Sequence, residues 1–175
     1  MKQAQRMNAA LEREVIAKLK ADGFEGKFPH YRRVFSDRIE LISFPKDKYG
    51  NAFHVVASIA YPSREKWEQN IDYHFFKGEL NELTADDCGK RFELTSRFGR
   101  IFYYTDVYII QIFGGIIYEG VSESKMQTNK PKRLDIHIQK YDEGIHQRIC
   151  DEINRKMPRI YNWWDKMSEW KKSKS

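Results

Sequence analysis

The stretch HYRRVFSDRIELISFPKDKYGNAFHVVASIAY, residues 30–61, decides the fold. Its apolar period is two. Ile39 and Leu41 alternate with Glu40, and Phe53, Val55, Ala57, Ile59 and Tyr61 alternate with His54, Val56, Ser58 and Ala60. Successive side chains of a strand point to opposite faces, so this is the pattern of strands with one face more buried than the other. Ser36-Asp37 supplies a tight turn between strands 31–35 and 38–44, and PKDKYGN, residues 45–51, a longer turn before strand 53–61. Three consecutive antiparallel strands, a meander, are the economical result.

On the N-terminal side the period changes. Met7, Leu11, Val15, Ile16 and Leu19 lie on one stripe of a 3.6-residue repeat, with Arg6, Glu12, Arg13, Lys18 and Lys20 elsewhere. An amphipathic helix over 1–22 follows, with Gly23 as a left-handed cap and Phe24 tucked back under it. On the C-terminal side, Pro62-Ser63 ends the third strand and caps a short helix near 64–76, where Trp67, Ile71 and Phe75 recur. Residues 91–95, 101–113 and 116–119 read as further strands, parted by Phe98-Gly99-Arg100 and by Gly114-Gly115. Both faces are apolar at 107–113, where the density of Ile, Val and Tyr favours strand over helix. Residues 122–133, SESKMQTNKPKR, form a polar loop. Ile145, Ile149, Ile153 and Met157 then recur every four residues in a helix that stops or kinks at Pro158, and a final helix carries Ile160, Trp163, Trp164, Met167 and Trp170. The expected class is α+β: an antiparallel sheet of about five or six strands over 30–119, packed by the N-terminal helix and by C-terminal helices within 143–172.

The chain has 175 residues, the size of one domain. Its 41% hydrophobic and 14% aromatic content excludes a disordered or collagen-like polymer. The net charge of +6 invites nucleic acid or an anionic surface as partner. The charge is divided, however. Residues 1–33 hold eight basic and four acidic groups, 34–124 ten and fourteen, and 125–175 thirteen and seven. The excess therefore belongs to the ends of the chain, and a nucleic-acid platform on the sheet loses ground. Two cysteines, Cys88 and Cys150, build neither a disulfide framework nor a metal site by themselves, which together with the lack of a signal-peptide pattern points to the cytoplasm. The most apolar run, Val107 to Tyr118, is twelve residues long and falls short of the roughly 20 that span a bilayer, so no membrane is expected.

Gly23-Phe24, Tyr31-Arg32-Arg33, the strand ending Ile42-Ser43-Phe44, and the turn Lys48-Tyr49-Gly50-Asn51 leading into Phe53 together form a recognisable series. In these features the chain resembles the bacterial domain-of-unknown-function family 4304, most closely over residues 7–61 and more weakly over Cys88 to Leu94 and Pro158 to Trp164. Pro45 stands where that resemblance implies glutamine, and 98–122 is more apolar than it implies. The resemblance implies a helix followed by an antiparallel sheet, and it transfers no catalytic residue.

Histidines at 30, 54, 74, 137 and 146 are the candidates for acid-base or metal chemistry. Asp135 and His137 would share one face of a strand, but a metal site needs three or four converging ligands. Asp106, Glu123 and Lys125 satisfy the permissive D…E-x-K string of Mg²⁺ nucleases, with Glu123 in the polar loop. No nucleophile elbow, phosphate loop, dinucleotide fingerprint or H-E-x-x-H motif occurs. No catalytic residue, metal or cofactor is therefore assigned.

What remains points to binding. Trp163, Trp164 and Trp170 give the last helix an aromatic character common at interfaces, and Lys130, Lys132 and Arg133 form a basic cluster in the loop. The expected function is a cytosolic, non-enzymatic domain that binds another protein, in a regulatory or toxin-neutralising role. Binding or Mg²⁺-dependent processing of nucleic acid is the alternative.

Overall fold

In the computed structural model the meander lies at the centre of a five-stranded antiparallel sheet. The structure describes residues 3–48, 50–61, 82–112, 115–120 and 135–172, with backbone alone at 107–112, 115–120, 135–139 and 170–172. The proposed helix 64–76 and loop 122–133 lie outside the described residues.

The first helical segment runs as α1 (Gln3–Leu11), a π-helical turn (Glu12–Ile16) and α2 (Ala17–Ala21). The wider turn lets both Val15 and Ile16 join Met7, Leu11 and Leu19 in the core. Gly23, at φ 89°, ends the helix in a Schellman motif: its N–H donates to Lys20 O at 3.0 Å and that of Phe24 to Leu19 O at 3.0 Å. Phe24 is then turned under the helix, its ring 5.4 Å from that of Trp164.

The sheet has the order β1 (Glu25–Lys27), β2 (His30–Val34), β3 (Ile39–Ser43), β5 (Val56–Ala60), β6 (Arg91–Glu93). The short strand β1 carries no hydrophobic alternation and was not anticipated from the sequence. It needs Gly26, at φ 134°, where a Cβ would collide with the His30 carbonyl. The predicted strand 53–61 is broken: β4 (Ala52–Phe53) pairs with β7 (Phe102–Tyr103), and β5 starts at Val56. His54 N–H donates to Pro45 O at 2.9 Å, outside the ladder, which accounts for the interruption. Likewise 101–113 divides into β7 and β8 (Val107–Ile112), and β8 forms a separate sheet between β9 (Gly115–Gly120) and β10 (Asp135–Gln139).

The burial of the meander differs from its pattern. β3 and β5 are buried on both faces. Ile42, Ala57 and Ile59 face the helices, whereas Ile39, Leu41, Val56 and Ala60 pack on Leu83, Ala85 and Cys88. That second layer includes a 3-10 turn, Ala85–Asp87, capped by Thr84, whose N–H and hydroxyl donate to Asp87 Oδ2 at 2.8 and 2.7 Å. Glu40 therefore lies on the helix side of the sheet, 1% exposed.

The C-terminal region is one helix, α3 (Ile145–Lys172), which passes through Pro158 instead of stopping there. Ile145, Ile149, Ile153, Met157, Ile160 and Trp164 keep one buried stripe through the proline, and this packing offsets the lost bond to the carbonyl of Asn154. Before the helix, Asp142 accepts from Gly144 N–H and from both terminal nitrogens of Arg148, at 2.8, 2.9 and 2.5 Å. Among the described residues no helix is long and apolar enough to cross a membrane.

Candidate functional site

The helices α1–α2 and α3 run side by side, joined by Asn154 to Glu14 at one level and by Tyr161 to Asp22 at another. Both are irregular where they meet. The π turn puts Glu14 O within reach of a side-chain donor, and Asn154 Nδ2 donates to it at 3.0 Å. Facing it, Pro158 lacks the N–H that would otherwise bond Asn154 O. Between these two points lies a groove of about 230 Å³, lined by Val15, Lys18, Leu19, Asp22, Asn154, Met157, Pro158 and Tyr161. Its floor is apolar. Asp22 is engaged by the Tyr161 hydroxyl at 2.6 Å, and burial followed by this bond pushes the Tyr161 phenol up. Lys18 on one wall and Arg155 on the adjoining face of α3 are exposed and form no ion pair among the described residues.

Below the groove Arg33 links helices to sheet. Its Nη2 and Nε contact Glu40 Oε2 at 2.6 and 3.0 Å, its Nη1 donates to Asp22 O at 2.9 Å, and its guanidinium lies over the rings of Phe24, Phe35 and Tyr161. Arg38 Nε donates to Glu40 Oε1 at 2.9 Å. These charged groups serve one another and hold the lower end of the groove in shape.

The tryptophans divide. Trp164 is in the core at 1% exposure, and its indole N–H donates to Ser58 O at 2.7 Å. Trp163 is half-buried on Phe92, with ring centroids 5.9 Å apart. Trp170 lies in the last turn of α3. Lys130, Lys132 and Arg133 lie outside the described residues.

The acid-base candidates do not assemble into a reaction centre among the described residues. His30 Nδ1 is 2.9 Å from Ser43 Oγ, but Ser43 is fully buried. Burial pushes the nearby Asp86 carboxyl up, against the opposing pull of His30 and Arg91. His146 is buried with Nε2 unpartnered, and burial and then Arg6 push its pKa down. Asp135 and His137 share a face of β10; Ile109 lies opposite His137, with Glu119 on the far side of Ile109. Asp106 Oδ1 accepts from the Tyr141 N–H at 2.5 Å, while His74, Glu123 and Lys125 are outside the described residues. No group of three His, Cys, Asp or Glu that could hold a metal occurs among the described residues. Both thiols are buried, and burial pushes that of Cys150 up to about 12.

The described residues thus form an α+β domain with a groove between its two helical segments. The chain belongs to the family described as Domain of unknown function (DUF4304), whose model matches residues 15–111, more than half its length. One wall of the groove, Val15 to Asp22, lies inside that span and the other, Asn154 to Tyr161, beyond it. No curated protein and no solved structure matches the chain. The groove residues were missed by sequence reasoning. Their one visible signal was Pro158, read as a stop or kink because a proline within a periodic run usually marks one.

Proposed function

We propose that the chain is a non-enzymatic, cytosolic binding module that docks another protein in the groove between α2 and α3. The observation that carries this reading is the apolar floor of Val15, Leu19 and Met157, with Pro158 exposed at the rim, set between two helices that are both irregular at that level. Helix grooves with an apolar floor are a recurrent way of receiving an anchor from a partner. Two buried cysteines, each present as a thiol, support a reducing compartment. A regulatory or toxin-neutralising role is one form such docking takes.

The test is photo-crosslinking in extract of the native cell. A photoreactive residue at Ala17 or Asn162, both exposed beside the groove, is expected to give a discrete protein adduct. The same residue at exposed Arg97 is expected to give none. The same adducts at all three positions, or none at Ala17 and Asn162, refutes the reading. If nucleic acid is the ligand instead, adducts will be nuclease-sensitive and affinity will fall steeply with salt.

A further inference from the structure

We infer that the groove receives an acidic peptide segment carrying one large apolar anchor, with its acidic residue over Lys18 and Arg155; this rests on the protein-docking reading above. Volume sets the anchor. About 230 Å³ is below the usual range for organic-ligand pockets, roughly 300–1,000 Å³, and suits one large side chain.

Charge sets the flanks. Lys18 lines the groove, and Arg155 is one residue from Asn154 on the exposed side of α3. Neither has an ion-pair partner among the described residues, so an incoming carboxylate displaces no existing bridge. Of the acidic groups nearby, Glu14 is paired with Arg13 at 2.7 Å, whereas Asp22 and Asp151 are hydrogen-bonded by neutral Tyr161 and Gln147, which bring no opposite charge; Asp22 lies at the Tyr161 end of the groove, away from Lys18 and Arg155. Exposed Asp165 lies one turn beyond Tyr161 and gives the groove a polarity. The acidic end of the segment points toward Asn154 and away from Asp165. A nucleic acid fits less well. Tyr161, the aromatic residue of the lining, sits edge-on to Trp164 at 81°, and two cations are few for phosphate tracking.

The test is selection of a random twelve-residue phage-displayed peptide library on the immobilised full chain. Synthesised winners are then measured by fluorescence anisotropy. Acidic peptides with a single aromatic or large aliphatic residue are expected. Lys18→Glu with Arg155→Glu should weaken them about tenfold, and Asp165→Lys should strengthen them severalfold. Pro158→Gln, which lays a longer side chain across the opening, should reduce binding, and circular dichroism checks that each variant is folded. Winners sensitive to Pro158→Gln but without acidic bias overturn this inference and leave groove docking standing. Winners indifferent to every groove substitution overturn the inference, while the Ala17 crosslink judges docking separately. Displacement of the winners by a twelve-nucleotide oligo-dT overturns it in favour of a general polyanion site.

Discussion

Replacing Glu40 by alanine exposes how far the sheet depends on a carboxylate that the sequence pattern would place in water. Glu40 is 1% exposed and accepts bonds of 2.6 and 3.0 Å from Arg33 and 2.9 Å from Arg38. Breaking a buried ion pair by removing one partner typically costs about 3–5 kcal/mol, because the remaining charge is left uncompensated. Here the two arginine side chains keep 23% and 16% exposure and reach water, so the low end, about 3 kcal/mol, is expected. That corresponds to roughly a 150-fold change in the folded-to-unfolded ratio, and to a fall in Tm of about 6–12 °C for a chain of this size. Glu40→Gln keeps shape and one acceptor and should cost about 1–2 kcal/mol. Urea unfolding followed by circular dichroism measures both, with the m-value unchanged if only stability has moved. A double-mutant cycle with Arg38→Ala should give a coupling of about 1 kcal/mol or more. Glu40→Ala within about 0.5 kcal/mol of the parent, the level of an ordinary surface change, would refute the buried three-residue network.

Gly26→Ala should destabilise by about 2 kcal/mol or more, since φ 134° is strained for any side chain and the new Cβ meets the His30 carbonyl; thermal unfolding reads the loss. Asn154→Ala should cost about 1 kcal/mol by leaving Glu14 O without its side-chain donor, seen as a lower urea midpoint. His146 has a folded pKa pushed below 6.5, so its contribution to stability is present above that value and is lost as pH falls from there through the folded pKa. The groups facing it are Arg6 and the Gln3 backbone on α1, with Asp142 and the Tyr141 ring on its own side. His146→Gln should accordingly flatten the decline in stability as pH falls below about 6.5, and an unchanged slope would refute this assignment. Neither thiol should react with iodoacetamide at pH 8 while the chain is folded, and both should react in denaturant.

The helix from Met7 to Leu19 and the meander of β2, β3 and β5 were legible because each is written in a local period, 3.6 or two. The Gly23 cap was legible for the same reason: its hydrogen bonds close within five residues. The break at His54 was not, because Phe53 and Val55 continue the alternation while Ala52 and Phe53 pair with residues about fifty positions away. Pro158 was read as a stop or kink before a separate final helix because local rules count only the lost backbone bond, whereas packing on both sides of it carries one helix through.

By itself, then, the sequence determined the periods and the turns, which follow from interactions between near neighbours, and through them the α+β class; the family it showed by resemblance. Tertiary structure decided which side of the sheet each period faces. It turned Ile39 and Leu41 toward a second layer and Glu40 toward the helices, where Arg33 and Arg38 make its burial tolerable. It also brought a π turn and a proline, 140 positions apart at the Glu14–Asn154 bond, to the two walls of one groove. No local pattern encodes that meeting, because it is the packing of two distant helices on one sheet that brings the two irregular segments together.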